Sequence, residues 1–329
     1  MSELRTLFLY GELGILKICI LPEEPFLTIP MVSAHKEGEE LVFGNKALEK
    51  DESWQLVWLR DWKDTRDHSA FLLYLFQQPV VHKALGKCNR LVTTVPSILP
   101  HIPTLPSDSR KYQVTEKHLS VVGRQELGIR YAFNILGDTS NAWLGKHTDG
   151  FFSRSRSVKV GFDTIVNLFI KLLCEKGYAF TAPKDWLLCE RLVMDYCYVA
   201  LDFEKELIRI ENLDDPLHEV VMEDGTVLQL GKECIMAPEV LFNPGIVGID
   251  EYSIMALFHL EVYLLPHFPS VILCGGCAPT LKGLGARIQR ELETIDEKYV
   301  DNPINIIKTN IREDALRYIP LVESNVIAP

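Results

Sequence analysis

Three observations predict an α/β fold. Apolar strand-like runs alternate with amphipathic helical stretches along the chain. Glycine turns follow several of the apolar runs. A length of 329 residues with 47% hydrophobic and 24% charged residues suits a folded protein of two domains better than a disordered chain.

The N-terminus reads strand, glycine turn, strand: TLFLY, then GELG, then ILKICIL. Glu12 and Lys17 interrupt the apolar run and Glu23-Glu24 follow, so a signal peptide is not expected. After a polar stretch at His35 to Glu40 comes a segment carrying Trp54, Trp58 and Trp62. Residues 94–109 hold Pro96, Pro100, Pro103 and Pro106, which rule out a continuous helix and mark a loop or a boundary between lobes. From Thr115 to Leu136 the spacing of Leu119, Val122, Leu127, Tyr131 and Ile135 predicts a helix. Residues 138–157 are polar and glycine-containing.

Ile165, Val166, Leu168, Phe169, Leu172 and Leu173 predict an amphipathic helix opening at Gly161-Phe162-Asp163. A further helix is expected through Trp186 to Met194, and a new element from Cys197 to Phe203. HEVVMEDGTVLQLG predicts a hairpin around Asp224-Gly225. VILCGG predicts a buried strand running into a glycine turn, followed by a helix over Leu284 to Thr294 and a strand in NPINIIKT. The most apolar segment, Ser253 to Phe268, contains His259, Glu261, Pro266 and His267 and does not suit a membrane span, which needs about 20 apolar residues. No tandem-repeat period is visible.

The formal net charge of −11 argues against a surface that coats nucleic acid generally. Eight scattered cysteines suggest reduced thiols and an intracellular setting. Cys274 and Cys277 form a C-x-x-C, but no second ligand pair completes a zinc set, so a tight turn is the preferred reading over metal or redox work. Gly275-Gly276, between a strand and a helix, would let backbone approach a phosphate at the helix N-terminus, or would form a turn with no ligand. Gly11-Glu12-Leu13-Gly14 is a second, weaker phosphate-hairpin candidate. Arg154-Ser155-Arg156-Ser157-Val158-Lys159 reads as a solvated basic loop before it reads as an anion contact or phosphorylation site. No Ser/His/Asp or Cys/His set can be assembled.

Against this background, Cys197-Tyr198-Val199-Ala200-Leu201-Asp202-Phe203-Glu204 resembles the corresponding block of actins residue for residue. In family order follow EDGTVLQLG, APEVLFNPGIVG, SIM and LCGG with KGLGARIQREL. LVTTVPSILP and VVGRQELGIRYA resemble actin segments more loosely, the latter placing Gln125 on the family's catalytic glutamine. The resemblance implies a two-lobed fold of the actin–Hsp70–hexokinase type, partly truncated at the C-terminus. The small lobe would comprise 1–137 plus 319–329, with a reduced outer subdomain at about 32–65. The large lobe would be 138–318, with an outer subdomain at about 160–250.

The departures are in the nucleotide machinery. The carboxylate of the first phosphate loop becomes Tyr10, and its phosphate-binding hydroxyl becomes Leu13, which offers no hydrogen bond. The second phosphate loop has no counterpart between Gly137 and Gly161. The pair contacting the nucleoside aligns with Val193 and Met194. Gly14, Lys17, Gly275, Gly276, Arg317 and Tyr318 remain as nucleotide-site positions, and Gln125 as a catalytic relic. Phosphoryl transfer depends on positioning and on neutralisation of charge by a metal. Hydrolysis and a bound metal are therefore not expected, no cofactor is required, and any ATP or ADP would be held without turnover.

The expectation is a non-catalytic actin-related scaffold subunit of a cytoskeletal or nuclear assembly, in the cytoplasm or the nucleus. Its partners would be proteins, with actin or other actin-related proteins among the candidates, and neither nucleic acid nor membrane. The alternatives are an ATPase with rebuilt phosphate loops, in which Glu12 or Asp138 replaces the lost carboxylates, and a monomeric actin-binding or capping relative.

Overall fold

The computed structural model describes residues 5–12, 14–23, 25–51, 53–58, 65–88, 90–93, 110–113, 131–135, 140–145, 152–222, 224–259, 270–274, 280–295 and 305–308. The chain divides into two compact units, residues 1–119 with 315–329 and residues 120–314.

In the first unit, β1 (Thr6–Glu12) and β2 (Ile15–Leu21) form an antiparallel hairpin, with Glu12 opposite Ile15. A two-residue connection of this kind needs positive φ, which Gly14 adopts at 63°. β3 (Leu27–Pro30) pairs antiparallel with β2, while β7 (Arg90–Thr93) and β8 (Arg110–Gln113) extend the other side in parallel. The strand order is β3-β2-β1-β7-β8. Leu7, Phe8 and Leu9 are consecutive and fully buried, so β1 is covered on both faces.

One face of this sheet packs on α2 (Thr65–Gln77) and α3 (Pro79–Leu85): Leu7, Leu9, Leu16 and Ile18 meet Phe71, Leu72, Leu75 and Val81. Gln78 ends one helix and leads into Pro79 at the first position of the next, where a missing N–H costs nothing. Between β3 and α2, a small sheet of order β5-β4-β6 is built from β4 (Val32–His35), β5 (Val42–Phe43) and β6 (Gln55–Trp58), with α1 (Asn45–Leu48) beside it. Phe43 ties it to the core by an edge contact to Phe71, ring centroids 5.7 Å apart.

The second unit repeats the topology of the first sheet. β9 (Tyr131–Ile135), β10 (Ser140–Gly145) and β11 (Phe152–Val158) are antiparallel neighbours, and β14 (Ser270–Cys274) and β15 (Asn305–Lys308) add in parallel beyond β9. The order β11-β10-β9-β14-β15 has the same directions as β3-β2-β1-β7-β8. No residue-level repeat announces this, because the likeness lies in connectivity and not in side chains.

Three sequence expectations change here. Tyr131–Ile135 is a strand, not the end of a helix, so the sheet of the second unit begins before the expected boundary at 137/138. Residues 114–130 lie outside those described. The stretch 138–157 supplies β10 and the start of β11, and the basic segment Arg154–Lys159 is largely an edge strand, not a loop. Within Ser253–Phe268, where nothing expected is overturned, Met255–His259 form α8, whose Leu257 and Phe258 are buried core.

For the helix opening at Gly161, the helix through Trp186 to Met194, the hairpin around Asp224-Gly225 and the helix from Leu284, the reading and the structure coincide, while residues 94–109 lie outside those described. α4 (Phe162–Glu175) buries Ile165, Val166, Leu168, Phe169 and Leu173, and its start is fixed by the Gly161 N–H donating to Thr164 Oγ1 at 3.1 Å. α5 (Pro183–Tyr196) opens in the same manner, the Ala182 N–H donating to Asp185 Oδ2 at 2.8 Å. α6 (Phe203–Glu211), the hairpin of β12 (His218–Val221) and β13 (Val227–Leu230), α7 (Glu233–Glu239) and α9 (Leu284–Ile295) complete the unit. Cys19, Cys88, Cys174, Cys189, Cys197 and Cys234 carry free thiols. Among the described residues, no helix is long and apolar enough to cross a membrane.

Phe71 is the pivot of the first unit, so Phe71→Ala should lower the unfolding free energy by about 3–5 kcal/mol. Guanidinium titration followed by tryptophan fluorescence measures it.

Candidate functional site

The segments that carry the actin resemblance converge in the second unit around Arg287. A short parallel bridge joins Tyr198 to Lys282, with the Val199 N–H donating to the Lys282 carbonyl at 2.8 Å. The residue immediately after Lys282 allows no side chain. A Cβ on Gly283 would lie 2.0 Å from the Val199 carbonyl oxygen, and Gly283 sits at φ 79°. The Gly283 carbonyl then accepts from the Arg287 N–H at 2.9 Å, starting α9 and aiming Arg287 inward.

The Arg287 guanidinium makes a two-pronged bond to Glu239, 3.0 Å on each arm. One of the same nitrogens donates to the Ala200 carbonyl at 2.8 Å, and Nε donates to Glu291 at 2.5 Å. The ring of Phe242 lies under the guanidinium carbon at 4.7 Å. Arg287 and Glu239 are 9% and 3% exposed, so this ion pair is internal. Burial pushes the Glu239 carboxyl above the usual carboxylate range, and Arg287 opposes that push. Facing this pair, one helical turn on, Arg290 donates to the Leu201 carbonyl at 2.7 Å and to Asp202 at 3.2 Å.

Asp202 caps α6, accepting from the Lys205 N–H at 3.3 Å. Lys205 and then Arg290 hold its carboxyl down at about 2. Tyr198 donates to Glu206 at 2.5 Å; burial first, then that bond, push its hydroxyl up to about 12. Burial likewise raises the Cys189 thiol to about 12 and lifts Cys197 well above its ordinary value.

Chemically this cluster is a clamp. Four of the donors of Arg287 are engaged by protein acceptors, which leaves it little capacity for a ligand. It joins the blocks Cys197–Glu204, Pro238–Gly248 and Gly283–Glu291 into one body. The sequence marks Glu239 through the Pro238-Glu239 pair of its motif, but does not single out Arg287. The available signal was an arginine and a glutamate, opposite in charge, inside two matched motifs.

The expected nucleotide-site residues are only partly placed. Gly14 lies in the β1–β2 turn, its carbonyl accepting from the Met31 N–H at 2.8 Å. Lys17 stands on β2, paired in register with Tyr10 on one side and Thr28 on the other. Tyr10 is 6% exposed and its ring stacks on Phe8, centroids 5.0 Å apart. Val193, at the nucleoside-contact position implied by the resemblance, is fully buried in α5. Gln125, Gly275, Gly276, Arg317 and Tyr318 lie outside the described residues, as do Leu13, Asp138 and Cys277. Among the described residues, no group of three or more His, Cys, Asp or Glu is placed to hold a metal ion.

The structure thus defines an α/β protein with two sheets of like topology and a clamp built from the resembling blocks. No family model matches the chain. Over 146 residues it is 25% identical to actin-related protein 2 of Acanthamoeba castellanii, covering 43% of this chain and 38% of the relative. It is 26% identical over 157 residues to actin-related protein 2 of Caenorhabditis briggsae (46% and 39%), and 27% identical over 131 residues to that of Schizosaccharomyces pombe (38% and 34%). The chain thus matches less than half the length of these relatives. These matches support a distant relationship to the actin family.

Removing one partner of a buried pair strands the other charge, so Glu239→Ala should cost about 3–5 kcal/mol in a urea melt. Gly283→Ala forces both strain and a backbone overlap, and should lower Tm in a thermal scan at a cost of at least about 2 kcal/mol. The low folded value of Asp202 contributes stability above its unfolded value of about 4 that is lost as pH falls toward 2. The advantage of the parent over Asp202→Asn in melts at a series of pH values should shrink across that window.

Proposed function

We propose that the chain is a non-catalytic, actin-related structural subunit of a larger protein assembly, with a degenerate ATP site. The observation that carries this reading is Tyr10. Where the resemblance expects a carboxylate to organise a metal's water shell, a buried aromatic ring stacks on Phe8. A phenol there supplies no negative charge at neutral pH and fills the space with apolar surface. The paired sheet topology supports a two-lobed actin-like architecture, with residues 1–119 and 315–329 as the small lobe and 120–314 as the large one. The clamp around Arg287 supports a reading in which the second unit serves as a rigid platform for other proteins.

On this reading no cofactor is needed, and ATP or ADP would be bound, if at all, without turnover. Gly14, Lys17, Gly275, Gly276, Arg317 and Tyr318 would then be remnants of a nucleotide cradle. The partners are proteins of a cytoskeletal assembly in the cytoplasm, or of a nuclear one, with actin and actin-related proteins among the candidates.

Calorimetric titration with Mg-ATP, run beside a phosphate-release assay, tests this. The expected result is no turnover, with nucleotide binding weak or absent. Tight Mg-ATP binding together with turnover abolished by Gln125→Ala would overturn it.

A further inference from the structure

The hairpin of β12 and β13 has two edges, and the protein treats them differently. Glu219 lies opposite Gln229 in the register. The Gln229 N–H points away from β12 and donates to Tyr178 Oη at 2.9 Å. The Gln229 carbonyl accepts from Lys176 Nζ at 2.5 Å, and that ammonium is held by Glu233 at 2.7 Å. Side chains from the end of α4 therefore close the outer edge of β13.

Because Gln229 directs both backbone groups outward, its opposite residue Glu219 must do so too, on the other side of the hairpin. The same alternation applies to Val221, opposite Val227, since the next pair inward to the turn is bonded: the Met222 N–H donates to the Thr226 carbonyl at 2.8 Å. Among the described residues, nothing meets the outward N–H and C=O groups of Glu219 and Val221. Val221 is also 72% exposed, and Val227 beside it 45%, while Leu228 and Leu230 on the other face are buried. An uncapped strand edge with an exposed β-branched residue is a template for strand addition, which proteins usually block as this one blocks β13.

We propose that the free edge of β12 is a docking site for an extended segment of a partner protein, added as a third strand. The chemistry of the edge sets the occupant. The solvent face presents Glu219 and then Val221, and the approach to the strand carries Asp214 and Asp215, both exposed. Cross-strand pairing favours a basic residue opposite the glutamate and a β-branched or aromatic one opposite the valine. The matching segment alternates Lys or Arg with Val, Ile, Thr or an aromatic, and its main chain supplies hydrogen bonds to Glu219 and Val221. The inference rests on the reading of the chain as a protein-binding subunit and names one of its contacts.

The test uses the full chain and a capped peptide of alternating lysine and valine, with the same peptide N-methylated at every amide as control. Binding is read by fluorescence anisotropy, and the site by amide hydrogen exchange. The peptide should bind, slow exchange at Glu219 and Val221, and lose about tenfold or more in affinity on N-methylation, since each lost backbone bond removes a large part of a tenfold factor. Val221→Pro, which deletes an outward N–H that no hairpin bond uses, should weaken binding equally while leaving the melting curve in place. If Val221→Pro does not fold, Glu219→Lys takes its place.

Equal binding of the N-methylated peptide would mean general attraction to an acidic surface and would overturn the proposal. So would an absence of binding, protection elsewhere on the chain, or a concentration-dependent dimer as the occupant of the edge. Any of these, with the chain still recovered in a native assembly, removes this contact and leaves the subunit reading standing.

Discussion

Taking a guanidinium out of water is tolerable only if fixed acceptors replace the solvent, and Arg287 shows how many it takes. Glu239 meets it on two prongs, the Ala200 carbonyl and Glu291 engage further donors, and the Phe242 ring closes the remaining face. A pair buried this deeply adds little net stability over an apolar substitute, yet is costly to break. Its consequence is geometric. Segments far apart in the chain must arrive at one point with their acceptors already aimed, so α7, α9 and the Cys197–Asp202 stretch hold a single mutual arrangement. Gly283 follows from the same demand, because the helix bearing Arg287 can start only where backbone touches the Val199 carbonyl.

Around that constraint the second unit places its weaker devices. Asp202 both caps α6 and receives Arg290, so one carboxylate sets the helix start and its distance from α9. Lys176 and Tyr178 secure the hairpin edge nearest α4, and Glu233 holds the lysine in place. The first unit is stabilised differently, by apolar packing of its sheet on α2 and α3, with the Phe43–Phe71 contact tying on the small outer sheet. Both units use one sheet topology, and in both the first two strands are joined by a short connection. In the first of these hairpins the Tyr10 ring stacks on Phe8.

Much of the fold could be read from the chain, and the misses have physical causes. The helices at Phe162–Glu175 and Leu284–Ile295 and the strand at Ser270–Cys274 were legible, because one-sided apolar periodicity or an uninterrupted apolar run marks them. Tyr131–Ile135 was misread because Tyr131 and Ile135 are four apart, a spacing that suits a helix as well as one face of a strand. Parallel pairing with β14 decides between them, and no local window contains it. β10 and β11 were invisible because Asn141 on β10, and Arg154 and Ser155 on the edge strand β11, break the apolar pattern. The site was legible as motifs and not as contacts: the blocks were quoted, but the Arg287–Glu239 pair spans 48 positions and appears only when the chain is folded.

On the proposed reading, this chain acts by holding partners and not by turning over nucleotide. Size fractionation of the native assembly containing the chain, with ATP present and after enzymatic nucleotide depletion, tests it most directly. The chain should stay in the same large fraction with the same partner proteins in both conditions. Release of the chain as a monomer on nucleotide depletion, with reassembly when Mg-ATP is restored, would contradict it.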